Sequence, residues 1–354
     1  IGWCDWSSDV CSSDLVGDKD GLLSRNAEFH QMLVKLDIEH AWSIVPNCTH
    51  SPEELFANWP GNPFEFYIAA FATSPSSGPP GQKAENVREF VYKRTSQGEL
   101  KLQVHMPEGW TGRDKRPAVV FFFNSRWTGG SIEQFRPQAR YFAKRGLVAV
   151  LADYRVLGRH GTPPDKCVED ARSAVRWLRK NAPTLGVDPD RIVAAGDSAG
   201  ACIAVCTCLL DEFDAQGEDT SISCRANLLI LFDPVLECES MIAQFASAEV
   251  ARRVSPSLHL KKDLPPTLIL LGKDRGLRKS TVEFVDRSDG MGVEIRMYEA
   301  AGQTEGFFNG SPWFERTTSL MDEFLASHGC LEGEPAIGPP AGGLSMTRYA
   351  PSRK

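Results

Sequence analysis

The pattern of apolar and polar residues changes period repeatedly between residues 87 and 331. Val119–Phe123 and Leu147–Ala152 are uninterrupted apolar runs, which is typical of strands buried on both faces of a sheet. Asp165–Lys180 instead repeats its apolar residues at helical spacing. Strands that alternate with helices predict an α/β fold with a mainly parallel central sheet and helices on both faces. The predicted strands are 87–93, 100–106, 119–123, 147–152, 192–195, 228–232, 267–271 and 293–298, and the predicted helices are 132–144, 165–180 and 314–326.

The sharpest change of pattern surrounds Ser198. The apolar stretch Ile192–Ala195 runs into the sequence GDSAG, centred on Ser198, and the small residues that follow pack well only as a helix. A strand that turns directly into a helix presents a serine hydroxyl at the edge of the sheet, and the flanking glycines leave room for the tight turn. We therefore predict that Ser198 is a nucleophile. The alternative is a chance match of common residues.

Composition predicts five segments along the chain. Residues 72–85, ATSPSSGPPGQKAE, are rich in Pro, Gly and Ser, which marks a linker. This linker separates a fragment at 16–71 from a larger domain at 86–331, and a Pro/Gly-rich tail at 332–354 is expected to be disordered. Residues 1–15 resemble the translation of a sequencing adapter, so they are interpreted as an artefact leader of a gene fragment that starts upstream, or alternatively as a short disordered leader.

Charge and hydropathy exclude several classes of partner. The 354 residues carry a net charge of -7, with 42% hydrophobic and 24% charged residues, and no long basic run is present. We therefore expect no binding to nucleic acid or to an anionic membrane surface. No apolar run approaches the roughly 18 residues of a membrane span. The compartment stays undetermined.

The ten cysteines do not predict a metal site. Cys202, Cys206 and Cys208 lie in the predicted helix after Ser198, but only the first two share a helical face, and no histidine or second cysteine pair stands at zinc spacing. We interpret these cysteines as buried apolar thiols rather than as disulfides or ligands, and we predict no metal and no cofactor.

Three further motifs accompany GDSAG in the larger domain. They are Asp153-Tyr154-Arg155, the stretch Asp170–Ala174 and the stretch Gly306–Asn309. Together these sequences resemble the α/β-hydrolase superfamily, specifically the carboxylesterase and acetylesterase branch related to hormone-sensitive-lipase-like enzymes. The resemblance covers residues 87–331, and it implies an α/β-hydrolase fold that cleaves a small-molecule ester.

The resemblance also implies roles for individual residues. Ser198 is the nucleophile, and the N–H of Ala199 is one oxyanion donor. Asp274 occupies the position of the acid, although a turn residue or a surface ion pair is the alternative reading of it.

The expected site departs from the family pattern at two places. Glu305 stands where relatives have the base histidine, and a carboxylate is a much weaker base near neutral pH. Ser125 and Arg126 replace glycines of the oxyanion loop. We hypothesise that Arg126 and Glu305 form a buried salt bridge that plugs the pocket above Ser198.

The fragment at 16–71 resembles the C-terminal end of a second α/β-hydrolase. Asp20 and His50 match the acid and base positions of such an end, but a nucleophile for them would lie before residue 16. His50 as the cap of a helix that begins near Ser51 is an equally good reading. This fragment is a possible contact partner of the larger domain.

Two functions remain open from the sequence. The first is a serine ester hydrolase with a degenerate site, supported by GDSAG and the predicted fold. The alternative is a catalytically inactive pseudo-hydrolase that binds a ligand or stabilises the upstream hydrolase unit, supported by the loss of the histidine and of the loop glycines. A minor third possibility is altered chemistry at an Asp274–Glu305 carboxylate pair.

Overall fold

Two units make up the chain, and a computed structural model describes residues 14–17, 27, 31, 42–45, 86–239, 245, 247–273, 276–338 and 345–351. The units are Ile1–Ala84 and Glu85–Lys354. In the first unit, strand β1 (Asp14–Gly17) pairs in parallel with strand β2 (Trp42–Val45). Asp20 and His50 lie outside the described residues, so their predicted roles stay predictions.

The second unit contains a sheet whose central strands are parallel. Its strands, within the described residues, are β3 (Val87–Thr95), β4 (Gly98–His105), β5 (Arg116–Phe122), β6 (Val148–Ala152), β7 (Val187–Asp197), β8 (Leu228–Phe232), β9 (Thr267–Gly272), β10 (Ile295–Ala300) and β11 (Thr347–Arg348). Their spatial order is β11-β10-β9-β8-β7-β5-β6-β4-β3. Strands β5 to β10 pair in parallel, whereas β3 and β4 at one edge and β11 at the other are antiparallel. The predicted α/β-hydrolase fold with a mainly parallel sheet is confirmed.

Helices connect these strands. They are α1 (Arg136–Lys144), α2 (Leu157–His160), α3 (Asp165–Lys180), α4 (Ala182–Leu185), α5 (Ala199–Leu209), α6 (Ala248–Arg253), α7 (Arg278–Gly290) and α8 (Trp313–Ser327). Short 3-10 turns lie at Ile132–Phe135, Pro256–Leu258 and Phe307–Asn309. No helix in the described residues is both long enough and apolar enough to span a bilayer.

The central strands divide their side chains between two cores. Val120 and Phe122 of β5 belong to the core that contains α3 and α5, whereas Val119 and Phe121 belong to the core that contains α1 and α8. This alternation follows from the two-residue repeat of a strand. Because both faces are covered, the strands read as continuous apolar runs, and only their ends are available for chemistry.

The C-terminal segment corrects one prediction. Residues 332–354 were expected to be disordered, but β11 pairs antiparallel with β10 and Met346 is buried. The hydroxyl of Tyr349 donates to Asp286 Oδ1 at 2.9 Å, and the N–H of Ala336 donates to the Tyr141 hydroxyl at 3.0 Å. For the described part of this segment the prediction is wrong, because specific hydrogen bonds hold a sequence with little apolar content.

Candidate active site

The strand-turn-helix expected around Ser198 is present. Strand β7 ends at Asp197 and helix α5 begins at Ala199, so Ser198 is the single residue between them. Its φ of 54° and ψ of -110° lie in a region that residues with a side chain rarely adopt. A strained serine between a strand and a helix is the geometry of a nucleophile elbow.

Close packing explains the two glycines of the elbow. A Cβ added at Gly196 would lie 2.4 Å from the backbone of Gly200, and one added at Gly200 would lie 2.1 Å from the carbonyl oxygen of Phe122. Both distances are far shorter than a van der Waals contact, and the atoms in the way are backbone atoms that cannot rotate aside like a flexible side chain. The helix can therefore approach the sheet only if both positions lack a side chain.

Backbone hydrogen bonds hold Ser198 at the carboxyl edge of the sheet. Its N–H donates to Phe232 O at 2.9 Å, and its carbonyl accepts from Val235 N at 3.3 Å. Ser198 is 4% exposed. Ala199 opens helix α5, so its N–H has no partner within the helix and is available to a developing negative charge.

The loop after β5 has positive φ values of the kind that glycine adopts most easily. Arg126 and Trp127 have φ values of 45° and 67°, which residues with a Cβ adopt only at a cost in conformational energy. Two side chains of the loop compensate. Asn124 Oδ1 accepts from Arg126 N at 3.1 Å, and Ser125 Oγ accepts from Trp127 N at 3.0 Å. The N–H groups of Arg126 and Trp127 are therefore bound within the loop itself.

Tyr154 anchors the start of this loop. Its hydroxyl donates to Phe123 O at 2.6 Å, and its ring stacks on Phe123 with a centroid distance of 4.3 Å. Burial raises the pKa of Tyr154 well above its usual value of 10.0, so the phenol stays protonated and remains a donor. The Arg159 guanidinium lies 5.7 Å from the centroid of the Phe123 ring.

Glu305 contacts the oxyanion loop after β5, as predicted, but it does not form a buried salt bridge there. Arg126 Nη2 lies 3.4 Å from Glu305 Oε2, and the Arg126 side chain is 78% exposed. The expectation of a buried salt bridge is therefore wrong, because Arg126 reaches the carboxylate from the solvent side. A shorter contact comes from Asn124, whose Nδ2 donates to Glu305 Oε1 at 2.6 Å. The neutral amide, rather than the arginine, is the closer partner of Glu305.

The structure places no described histidine against Ser198. Ser198 Oγ forms no hydrogen bond with any described residue, Glu305 included. His160 Nδ1 accepts from Val156 N at 3.0 Å, and His328 Nδ1 lies 2.9 Å from Phe324 O, so both rings serve local structure. Asp274 lies outside the described residues, and its role as the acid stays a prediction.

Sequence reasoning missed a buried acid beside this site. Asp233 follows β8 directly, is fully buried and has a φ of 40°. Its Oδ1 accepts from Gly272 N at 2.8 Å, which ties the end of β8 to the end of β9, just before position 274. The available signal was an acidic residue immediately after the apolar run Leu228–Phe232, because such positions lie at the carboxyl edge of a parallel sheet.

An open cleft of about 470 Å³ adjoins the oxyanion loop. Amide and hydroxyl side chains dominate its lining, and Arg126 is the charged residue among them. The lining residues are Asn124, Ser125, Arg126, Thr128, Gly129, Gly130, Ser131, Gln134 and Asn309. Its volume falls in the range of small-ligand sites.

The described residues contain no cluster of side chains arranged to hold a metal ion. The cysteines that the structure describes are buried free thiols. Burial is also the main cause that raises the pKa of Cys202 well above its usual value of 9.0, which disfavours the reactive thiolate.

Comparison with known proteins identifies the larger unit. Residues 102–230 match the BD-FAE family. Esterase 2 of Thermogutta terrifontis, in the structure phosphorylated by paraoxon, is 38% identical with a TM-score of 0.68, and the match covers 73% of this chain and 100% of the esterase. The chain belongs to the carboxylesterases of the α/β-hydrolase fold.

Curated carboxylesterase relatives match over shorter stretches. Carboxylesterase NlhH of Mycobacterium tuberculosis is 39% identical over 93 residues, which cover 26% of this chain and 28% of that protein. The probable isoprenylcysteine alpha-carbonyl methylesterase ICMEL1 of Arabidopsis thaliana is 27% identical over 252 residues, covering 62% of this chain and 51% of that protein. This carboxylesterase-family chain therefore spans about half or less of the length of these curated relatives.

Proposed function

We propose that the chain is a carboxylic ester hydrolase with a degenerate site, in which Ser198 is the nucleophile and Glu305 occupies the position of the base histidine without acting as a base. Its hydrolysis of small-molecule esters is then weak. The relatives are named for the cleavage of esters, and the strained Ser198 at the start of α5 supports the same chemistry here.

The observation that carries the proposal is the engagement of Glu305. Its carboxylate accepts from Asn124 Nδ2 at 2.6 Å and lies 3.4 Å from Arg126 Nη2. An imidazole with a pKa of about 6.5 takes the serine proton and returns it to the leaving group, whereas a glutamate of ordinary pKa about 4.3 is a poor base for that cycle. Glu305 is therefore bound to the oxyanion loop instead of serving Ser198.

The proposed reaction has the steps of a serine esterase, but no side chain carries the serine proton. Ser198 Oγ attacks the acyl carbon, the ester C–O bond breaks, and the alkoxide takes a proton from water and leaves as the alcohol. Water then attacks the acyl-serine, which releases the acid and restores the Ser198 hydroxyl. The serine proton passes to water, because Ser198 has no described side-chain base. Loss of a triad member costs on the order of 10⁶ in turnover and leaves about 10³ to 10⁴ over water from binding and the oxyanion hole.

The oxyanion loop reduces even this residual rate. Arg126 N already donates to Asn124 Oδ1, so the N–H groups of Ser125 and Ala199 are the donors left for an oxyanion. Removing one oxyanion donor costs about 10² to 10³ in turnover.

The bound loop amides also favour a second function, a pseudo-hydrolase that binds without turnover. The open cleft beside Arg126 would then be the binding site for a small molecule.

Hydrolysis of p-nitrophenyl acetate by the full chain, compared with the Ser198→Ala variant, tests the first proposal. A slow release of p-nitrophenolate that is lost in Ser198→Ala supports a degenerate hydrolase. Equal rates in both proteins support the pseudo-hydrolase instead. A native rate typical of efficient esterases would overturn both.

A further inference from the structure

Gln134 contacts three segments of the candidate site with one side-chain amide. Its Oε1 accepts from Asn124 N at 2.6 Å, and its Nε2 donates to Asp197 Oδ2 at 2.8 Å. The same Nε2 lies 3.5 Å from Asn309 Oδ1. Asn124 begins the oxyanion loop, Asp197 precedes Ser198, and Asn309 follows Glu305 by four residues.

Only a primary amide matches these partners. The Asn124 N–H needs an acceptor, while the Asp197 carboxylate and the Asn309 carbonyl need a donor. A carboxylate at position 134 would meet the Asp197 carboxylate across 2.8 Å, and an apolar side chain would leave buried polar groups without this partner. The orientation of the Gln134 amide is likewise fixed by the chemistry of its neighbours.

The backbone of Gln134 is held by the next residue. Phe135 is buried and stacks on Phe121 of β5 at a centroid distance of 5.0 Å and on Phe308 at 5.7 Å. Phe308 belongs to the segment after Glu305, so the aromatic contacts join the same parts of the site as the amide. Gln134 is therefore presented from a rigid position rather than from a free loop.

The hydrogen bonds of Asn124 connect Gln134 to further parts of the site. Besides donating its N–H to Gln134, Asn124 accepts from Arg126 N and donates to Glu305 Oε1. A shift of Asn124 relative to Asp197 would thus move both the oxyanion loop and the carboxylate that it holds.

We propose that Gln134 is a positioning residue that fixes the oxyanion loop relative to the nucleophile elbow. The proposal rests on the proposed site at Ser198, but not on how fast that site turns over. Its effect is transmitted through Asn124 and Asp197, and Gln134 itself touches no reacting atom.

An exchange of amide and carboxylate tests the proposal in the full chain. Gln134→Glu places two carboxylates together, whereas the double variant Gln134→Glu/Asp197→Asn restores a donor and acceptor with their positions swapped. Asp197→Asn alone is the reference for the double variant, since an asparagine oxygen still accepts from Gln134. Glu133→Gln is the matched control, because Glu133 is an exposed neighbour on the same 3-10 turn.

Amide hydrogen exchange of peptides that cover residues 124–130 is the first readout, and the rate of Ser198 phosphorylation by paraoxon is the second. In that reaction Ser198 Oγ bonds to phosphorus, p-nitrophenolate leaves, and the serine proton goes to water. We expect Gln134→Glu to speed loop exchange and to slow phosphorylation by about tenfold or more each, because it replaces a part-buried hydrogen bond to Asp197 with a carboxylate repulsion. The double variant should return to the Asp197→Asn level, and Glu133→Gln should match the native chain.

Native values in Gln134→Glu would overturn the proposal, as would a double variant no better than Gln134→Glu. Faster exchange spread over the whole unit would also overturn it, because that result means a general loss of stability. If paraoxon fails to modify the native chain, the nucleophile of the proposed function fails, while the exchange readout still decides the role of Gln134.

Discussion

The tight packing of the elbow makes Gly200→Ala a demanding test of the structure. The added Cβ would lie 2.1 Å from Phe122 O and 2.4 Å from Phe123 O, whereas ordinary contact begins at 3.4 Å. Helix α5 or strand β5 must therefore move by about 1.3 Å to restore ordinary contact. Overpacking of this kind costs about 1 to 3 kcal/mol, and the upper end applies because backbone atoms block the methyl group on both sides.

Urea and thermal unfolding of the full chain measure this loss. We expect a lower free energy of unfolding by about 2 to 3 kcal/mol and a Tm reduced by about 4 to 12 °C, at roughly 2 to 4 °C per kcal/mol for a domain of this size. Gly290→Ala is the matched control, because a Cβ there meets nothing within 4 Å at the end of α7. That control should be neutral or slightly stabilising. Equal stability of the two variants would refute the close approach of α5 to the sheet.

Three further predictions concern stability. Asp170→Ala removes the carboxylate that pairs with Arg155 at 2.7 Å in the core, so urea unfolding should show a loss of about 3 to 5 kcal/mol; a loss below about 1 kcal/mol would argue against a buried pair. Burial raises the pKa of Glu169, but its lysine and Arg155 partners outweigh this effect and lower the pKa from 4.5 to about 2. The stability that Glu169 contributes is therefore full above pH 4.5 and is lost as the pH falls toward 2. Unfolding between pH 6 and pH 2 should therefore be less steep in Glu169→Gln than in the native chain, and identical profiles would contradict the pairing. Tyr349→Phe removes one hydrogen bond to Asp286, so the free energy of unfolding should fall by about 0.5 to 1.5 kcal/mol and the Tm should fall with it. An unchanged Tm would mean that this contact beside β11 adds no stability.

The sequence predicted the elements whose pattern reflects burial on one or two faces. Helix Asp165–Lys180 and strand Leu228–Phe232 lie at their predicted bounds. The first is strongly amphipathic and begins directly after Pro164, while the second is a continuous apolar run between polar residues. Helix Arg278–Gly290 was not predicted, because polar Thr281 and Ser288 share its buried face with only a few apolar residues.

The candidate site was predicted in outline but not in its contacts. The sequence brought Arg126 and Glu305 together, because both occupy known positions of the family pattern. It did not indicate that Arg126 would be exposed or that Asn124 would hold the carboxylate more closely, since the direction of a side chain depends on the positive φ at Arg126. Gln134 was missed for a similar reason: its partners are distant in sequence, and no local pattern marks an amide that bridges two loops.

Restoration of a base tests the central claim, that Ser198 is an intact nucleophile without a proton acceptor. The measurement is p-nitrophenyl acetate hydrolysis by Glu305→His, with Ser198→Ala/Glu305→His as its control. We expect the histidine to raise the native rate by about tenfold or more, since general-base catalysis contributes about 10² to 10⁴ and the loop amides stay bound. This gain should be lost in the control that lacks Ser198. A native chain that already hydrolyses the ester rapidly through Ser198, and that loses activity in Glu305→His, would contradict the account.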